Sequence, residues 1–143
     1  MENRQDIMDG VGRVWLLLKR YGRKRFSEIN FDFTFEQAMV LFILRMEEGL
    51  KIGEIAERTD RDRTTTSRMI NGLEKKNLVV RVPDQNDSRQ KLIYLTRQAK
   101  DQMTSMDTLR KQFAAEVFRD IGKKDILKAA EILHKIADNI GRG

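Results

Sequence analysis

Apolar positions follow a helical spacing along most of the chain. One region instead has the pattern of two short strands. Apolar residues recur at three- and four-residue steps from about Asp6 to Ile29, from about Thr96 to Ile121 and from about Lys124 to Ile140. Leu78–Val82 and Lys91–Thr96 instead have the composition of short strands. Together with three helical segments between residues 34 and 77, the pattern predicts four helices, two strands and two further helices.

The middle of the chain carries clear signals for where helices begin and end. Thr34 and Gln37 have the spacing of a capping box, and the helix that follows is apolar nearly all round, so we expect it to be central and buried. After a short helix at about residues 53–59, Asp62 is placed to cap the next one. Asn77 is placed to end that helix, because asparagine tolerates the left-handed conformation.

Residue counts exclude several classes of site. The chain has 143 residues, which suits one domain of residues 1–143 with a sizeable core. It has no cysteine and one histidine, His134, so it offers no disulfide, thiolate site or histidine-based metal cluster. We therefore expect no metal and no cofactor. We expect His134 to be an interface or core residue of the last helix.

Positive charge is concentrated in the middle third of the sequence. Residues 1–49 carry eight basic and eight acidic side chains, residues 50–97 carry eleven and seven, and residues 98–143 carry nine and seven. A basic balance alone is weak evidence for nucleic-acid binding, because many soluble proteins are basic. Its coincidence with the polar helix after Asp62 is stronger evidence.

Targeting signals are missing from the pattern. No apolar run, including the one near Trp15–Leu18, approaches membrane-spanning length. The first ten residues lack the basic start and apolar stretch of a signal peptide. We expect a cytoplasmic protein without a membrane partner.

The helix after Asp62 has the side chains of a helix that enters a DNA major groove. Arginine can hold guanine through two hydrogen bonds, and serine and threonine can reach bases or phosphates. The alternative is an ordinary solvated helix, and Thr66 could point toward the preceding helix instead. The candidate DNA contacts on this helix are Arg63, Thr64, Thr65, Ser67 and Arg68.

The loop between the two strands, Pro83–Gln90, is longer than a tight turn and suits a protruding β-wing. We expect Arg89 to reach the DNA backbone and place its guanidinium in the minor groove. Asp87 is repelled by DNA, so we assign it a structural role: it orients Arg89 or Arg81, or bonds loop amides. Arg81 and Lys91 are candidate phosphate contacts, with plain surface charge as the alternative.

The same residues resemble a known family. The segments EIAERT (54–59), DRTTTSRMINGLEKKNLV (62–79) and DSRQKLIYLT (87–96) are similar to the scaffold helix, recognition helix and wing of MarR-family transcriptional regulators. The element order matches over essentially the whole chain. Two departures are Asn77, where members commonly have glycine, and Lys51, where a serine or threonine cap is usual. The missing cap costs about 1 kcal/mol.

The resemblance implies a mainly α fold with a small β-wing. It predicts a winged helix-turn-helix lobe at about residues 34–97 and dimerisation helices at about 5–30 and 98–141. The long terminal helices have more apolar face than one small domain covers, so we expect a two-fold homodimer. We expect core and dimer contacts from Trp15 and from the cluster Phe31, Phe33 and Phe35.

The resemblance also implies a site for a small aromatic or phenolic effector between the dimerisation helices and the DNA-binding lobe. Its candidate residues are Trp15, Phe35, Met39 and Phe42. The expected function is a ligand-responsive, homodimeric repressor that binds double-stranded DNA at a pseudo-palindromic operator. The alternative is a nonspecific architectural DNA-binding protein. An enzyme is not expected, because the sequence has no paired acid and base, nucleophile motif or phosphate loop.

Overall fold

A computed structural model describes residues 2–141, without the side chain of Glu2. The chain divides into two compact units, Met1–Met103 and Thr104–Gly143, and the division falls inside a helix. The elements, in chain order, are α1 Glu2–Ser27, α2 Phe35–Met46, α3 Ile52–Arg58, α4 Arg63–Lys75, β1 Val79–Pro83, β2 Lys91–Leu95, α5 Arg97–Val117 and α6 Lys123–Gly141. This order confirms the mainly helical fold with a small β-wing. The single domain of residues 1–143 stays a prediction.

Helix α2 is the centre of the first unit. It begins with the predicted capping box, in which Thr34 Oγ1 accepts from Gln37 N and Gln37 Oε1 accepts from Thr34 N, both at 3.1 Å. Its buried apolar side chains are Ala38, Val40, Leu41 and Leu44. The expectation of burial all round is wrong for Met39, which is 43% exposed. One side of α2 is therefore open.

Helices α3 and α4 form the helix-turn-helix. Ile55 of α3 and Ile70 of α4 are fully buried, and Asp60 takes a left-handed φ of 51° in the turn between the helices. Thr66 is also fully buried, and its hydroxyl donates to Asp62 O at 2.9 Å. Thr66 therefore faces the core and not solvent. A buried hydroxyl needs such a partner to offset its loss of hydration.

The backbone amides at the start of α3 are better hydrogen-bonded than the sequence suggests. The Lys51 side chain makes no capping hydrogen bond, as its chemistry requires. The Glu54 carboxylate, however, accepts from Lys51 N at 2.8 Å, which is half of a capping box. The predicted cost of the missing cap is therefore partly offset.

The β-hairpin is anchored to the end of α2. Strands β1 and β2 pair antiparallel from Val79 opposite Leu95 to Pro83 opposite Lys91. Ile93 of β2 also exchanges backbone hydrogen bonds of 2.9 Å with Gly49 and Leu50, which add a short third edge. Gly49 has a φ of 76°, and a Cβ there would lie 2.8 Å from the Tyr94 hydroxyl, so this turn requires glycine.

Four phenylalanine rings join the end of α1 to the start of α2. Phe26 and Phe31 stack at 5.2 Å between ring centroids, as do Phe31 and Phe33, and Phe35 meets Phe26 edge to face at 5.9 Å. Phe33 is buried, as predicted. Trp15, in contrast, is 58% exposed, so the single chain gives it no core role.

The second unit is helical and has little interior of its own. No residue of α6 within the described chain is buried, although one face of the helix is strongly apolar. His134 is exposed, so the expectation of a core histidine is wrong for the single chain, and its interface role stays a prediction. None of the helices in the described residues is long and apolar enough to span a membrane.

The capping carboxylate of Asp62 makes the stability of the fold depend on pH. Thr65 N donates to Asp62 Oδ1 at 2.7 Å, and the Thr65 hydroxyl donates to Oδ2 at 2.7 Å. These bonds favour the charged form and hold the pKa of Asp62 below its ordinary value of 3.8. A lowered pKa stabilises the fold above pH 3.8, and this contribution is lost as the pH falls through the folded pKa.

We expect Asp62→Asn to lower Tm at pH 7, because the amide keeps only one of the two acceptor oxygens. The gap between wild type and variant should narrow as the pH falls below 3.8. Thermal unfolding followed by circular dichroism between pH 7 and pH 2.5 measures both effects. Asp101→Asn removes an exposed carboxylate from α5 and is the control. A Tm gap for Asp62→Asn that stays constant down to pH 2.5 would contradict the prediction.

Candidate nucleic-acid interface

Helix α4 presents one continuous polar face to solvent. Thr64, Arg68, Asn71 and Lys75 follow each other at steps of four, three and four residues and are all exposed. We call these four residues the outward stripe. They lie opposite the buried residues Thr66, Ile70 and Leu73. This geometry suits a helix that packs on one side and enters a groove on the other.

The structure separates the five candidate contacts predicted on α4. Thr64 and Arg68 belong to the outward stripe, and the half-buried Ser67 lies beside it. Thr65 donates its hydroxyl hydrogen to Asp62, so its oxygen can only accept while the cap is formed. A phosphate offers no hydrogen to it, which limits the predicted role of Thr65 in DNA contact.

Arg63 lies across the start of α3. A Cβ placed on Gly53 would lie 2.6 Å from Arg63 Nη2 and 3.1 Å from its Nε. The guanidinium therefore occupies the space left by the missing side chain of Gly53. Arg63 remains exposed, but at the border between the two helices and not on the outward stripe.

The tip of the wing holds a strongly exposed arginine in a fixed loop. The Arg89 side chain is 90% exposed. Asp87 Oδ1 accepts from Arg89 N at 3.1 Å and lies 3.3 Å from Arg89 Nε. Of the roles considered for Asp87, the structure shows two: it bonds the loop amide of Arg89, and it orients the Arg89 side chain. Lys91 is exposed where the loop enters β2.

Arg81 connects the wing to α4. Its Nη2 donates to Asn71 Oδ1, and its Nε lies 3.3 Å from Glu74 Oε2 as an ion pair without an aligned hydrogen bond. The residue is half-buried. The guanidinium of Arg81 already has two partners within the protein. Its contact with a phosphate stays a prediction.

The end of α4 is tied to the start of α2. Lys76 Nζ donates to Gln37 Oε1 at 3.0 Å, and Gln37 is one of the buried polar residues. A Cβ on Gly72 would lie 2.7 Å from Gln37 Nε2, so the two helices approach closely here. Lys76 therefore has a specific partner in addition to its favourable position at the negative, C-terminal end of the α4 dipole.

A groove of about 700 Å³ opens in the first unit between α1, the open side of α2, the end of α3 and α4. Of the four residues predicted for the effector site, Trp15, Phe35 and Met39 line the groove and Phe42 does not. The position of Phe42 is about 100° around α2 from Ile43, which does line the groove. That the groove binds an effector stays a prediction.

The groove carries more positive than negative charge. Its lining includes four cations and two carboxylates, which are Lys19, Arg23, Arg58, Arg61, Glu36 and Asp60. Arg23 pairs with Glu36 at 2.9 Å, and Arg58 pairs with Glu47 at 2.7 Å. Lys19 Nζ lies 5.3 Å from the centre of the Trp15 ring. An aromatic wall beside cations suits a flat, anionic ligand.

Sequence reasoning missed two features of this surface. Asn71 was not among the candidate contacts, although it lies seven residues after Thr64 and three after Arg68, which is the spacing of one helix face. The cations of the groove come from α1, α3 and the following turn. Their proximity depends on tertiary packing, and no local pattern indicates it.

Comparison with known proteins agrees with this geometry. The model of the MarR family matches residues 31–90. The HTH-type transcriptional regulator TtmR of Methylorubrum extorquens is 36% identical over 97 residues, which are 67% of this chain and 50% of TtmR. SarZ of Staphylococcus saprophyticus is 32% identical over 103 residues, 69% of this chain and 70% of SarZ. The match thus spans only half the length of TtmR but over two thirds of SarZ.

Solved structures share the fold. A MarR family protein from Bacillus stearothermophilus superposes with a TM-score of 0.83 at 20% identity, covering 98% of this chain and 96% of that one. The PcaV regulator from Streptomyces coelicolor, in complex with its natural ligand, has a TM-score of 0.68 at 20% identity, covering 89% and 91%. Proteins of this family are transcriptional regulators, which agrees with the expectation that the protein is not an enzyme. The chain belongs to the MarR family of winged-helix transcriptional regulators.

Proposed function

We propose that the protein is a homodimeric, ligand-responsive repressor that binds a pseudo-palindromic operator. The observation that carries this proposal is the outward stripe of α4 beside an exposed, oriented Arg89 on the wing. One recognition helix and one wing per subunit would occupy adjacent grooves. Two-fold symmetry then requires half-sites about 34–36 Å apart. A dimer that covers a promoter excludes polymerase, so repression is the proposed direction of control.

The proposed contacts divide by chemistry. Arg68 and Thr64 would meet base edges in the major groove, with Ser67 beside them. Arg89 would enter the minor groove, where a guanidinium is attracted by the negative potential. Lys91 would neutralise a phosphate. Arg63, Thr65 and Arg81 have partners within the protein, so we propose secondary roles for them. The relatives TtmR and SarZ come from bacteria, where DNA lies in the cytoplasm, and this supports a cytoplasmic location.

Exposed apolar surface supports the homodimer. The large exposed apolar residues of α1 and α6 are Ile7, Met8, Val11, Val14, Trp15, Leu16, Leu17, Leu18, Tyr21, Leu127, Ile132, Leu133 and Ile140. Large exposed apolar patches are rare on monomeric soluble proteins and commonly mark interaction surfaces. A second copy of the chain would bury them, and the same contacts would set the spacing of the two recognition helices.

The aromatic, cationic groove supports ligand response. Its volume of about 700 Å³ is in the range of small-molecule sites. PcaV, which shares the fold, was solved with its natural ligand. An aromatic effector would release DNA only if it binds the DNA-incompetent form of the dimer more tightly than the competent form.

We expect Arg89→Ala to weaken operator binding by about tenfold. The slope of log Kd against log[KCl] should also fall by about one unit. Fluorescence anisotropy with labelled duplexes from the promoter of the protein's own gene, at several KCl concentrations, measures both. Arg119→Ala removes the same charge from the second unit and should bind like wild type. An unchanged affinity would remove Arg89 from the contact set. Equal wild-type affinity for operator and unrelated duplex would favour the nonspecific architectural protein.

We expect Leu133→Glu to shift the protein from dimer to monomer, because it places a charge on the apolar face of α6, where Leu133 is 50% exposed. Asn139→Glu adds the same charge at an exposed polar position of that helix and should leave the dimer intact. Sedimentation velocity at micromolar concentration distinguishes the two species. A Leu133→Glu variant that sediments as wild type would exclude this face from the dimer interface.

Benzoate and phenol are suitable probes of the groove. We expect at least one to raise the Kd of wild type for operator DNA, and Met39→Trp to abolish this response by filling the groove. Met46→Trp alters an exposed methionine at the end of the same helix and should respond like wild type. Anisotropy titrations with each probe provide the measurement. If neither probe changes the Kd or binds saturably, an effector of this class is ruled out.

A further inference from the structure

Asn71 and Lys75 are the two residues of the outward stripe that the proposed contact set leaves without a role, and Asn71 is the one with a partner on the wing. It is exposed, and it lies one turn after Arg68 on the face of α4 opposite the core. Its side-chain oxygen accepts from Arg81 Nη2 on strand β1. Asn71 is thus the residue of the outward stripe whose side chain accepts a hydrogen bond from the wing.

The chemistry of arginine fixes which way the Asn71 amide points. A guanidinium has five N–H donors and no acceptor, so the atom facing Arg81 is the amide oxygen and not the amide nitrogen. Asn71 Nδ2, with its two hydrogens, is left as the free end of the side chain. A freely rotating asparagine would present donor and acceptor equally. Asn71 presents chiefly donors.

Arg81 also controls the charge around this amide. Its Nε lies 3.3 Å from Glu74 Oε2, three residues after Asn71 on α4. The pair keeps a carboxylate occupied that would otherwise repel a nearby phosphate. Arg81 therefore acts on the recognition surface in two separable ways, through the polarity of Asn71 and through the charge of Glu74.

We propose that Asn71 contacts a base in the major groove and that Arg81 is the positioning residue that sets its preference for guanine. Guanine presents two adjacent acceptors, N7 and O6, to an amide NH₂ group. Adenine is the usual partner of asparagine, but that pairing needs the amide oxygen and the NH₂ group to face N6 and N7 side by side, and Arg81 holds this oxygen toward strand β1. Cytosine presents only a donor and is disfavoured. This inference rests on the proposed sequence-specific DNA binding.

The test begins with selection of duplexes from a randomised library by the full-length wild-type protein. The Kd is then measured on duplexes that differ from the enriched sequence at one base pair. We expect one guanine in each half-site whose replacement costs wild type about tenfold in affinity. Asn71→Ala should lose discrimination at that position alone. Asn139→Ala, the same change at an exposed asparagine of α6, should leave it intact.

Variants at Arg81 test how the preference is set. Arg81→Met keeps an unbranched side chain but no donor, and we expect the preference at that position to change from guanine to adenine. Arg81→Lys keeps a charged donor and should retain guanine. Glu74→Gln combined with Arg81→Met removes the freed carboxylate. The double variant should regain overall affinity relative to Arg81→Met while keeping the adenine preference.

Asn71→Asp supplies a readout that does not depend on changing Arg81. The carboxylate can still accept from Arg81 but has no hydrogen to donate, so the guanine preference should disappear. Retention of that preference in Asn71→Asp or Asn71→Ala would overturn the contact. A guanine preference that survives in folded Arg81→Met would overturn the role of Arg81. If wild type enriches no sequence at all, the proposed function itself fails, which is a distinct result.

Discussion

The structure depends on how one buried side chain, Gln37, satisfies its amide. A buried polar group is costly unless it is hydrogen-bonded. Gln37 Oε1 accepts from Thr34 N, which begins α2, and from Lys76 Nζ, which ends the recognition segment. The start of α2, with Phe35 lining the groove, and the end of α4 are therefore joined through a single amide. A ligand that displaces the start of α2 would act on the position of α4 through this contact.

The outward stripe of α4 and the wing are joined to each other by contacts within the protein. Arg81 links β1 to Asn71 and Glu74 of α4, and Asn77, with a φ of 57°, turns the chain from α4 into the hairpin. Thr96 Oγ1 donates to Asn77 O at 2.8 Å and closes the base of the wing. These contacts fix the position of the wing relative to α4 in the protein without DNA.

Local features could be predicted from sequence because their causes are local. The capping box at Thr34, the cap at Asp62 and the left-handed Asn77 each follow from one residue type at one spacing. Two features could not be predicted in this way: the exposure of Trp15 and the pairing of Arg81 with Asn71. Trp15 is exposed because a single chain supplies no surface to cover it, and the Arg81 contact joins positions ten residues apart through tertiary packing.

The loop geometry around Arg89 bears on how long a complex lasts. Asp87 holds both the backbone nitrogen and Nε of Arg89, so part of the side chain's rotamer freedom is already lost in the free protein. Ordering a long side chain on binding costs about 0.5–1.5 kcal/mol, and this prior restraint reduces that cost. Encounter rates depend on overall charge, which the restraint leaves unchanged. For the proposed contact of Arg89 with DNA, the benefit would be slower dissociation, and Asp87 would prolong the residence time on DNA without a contact of its own.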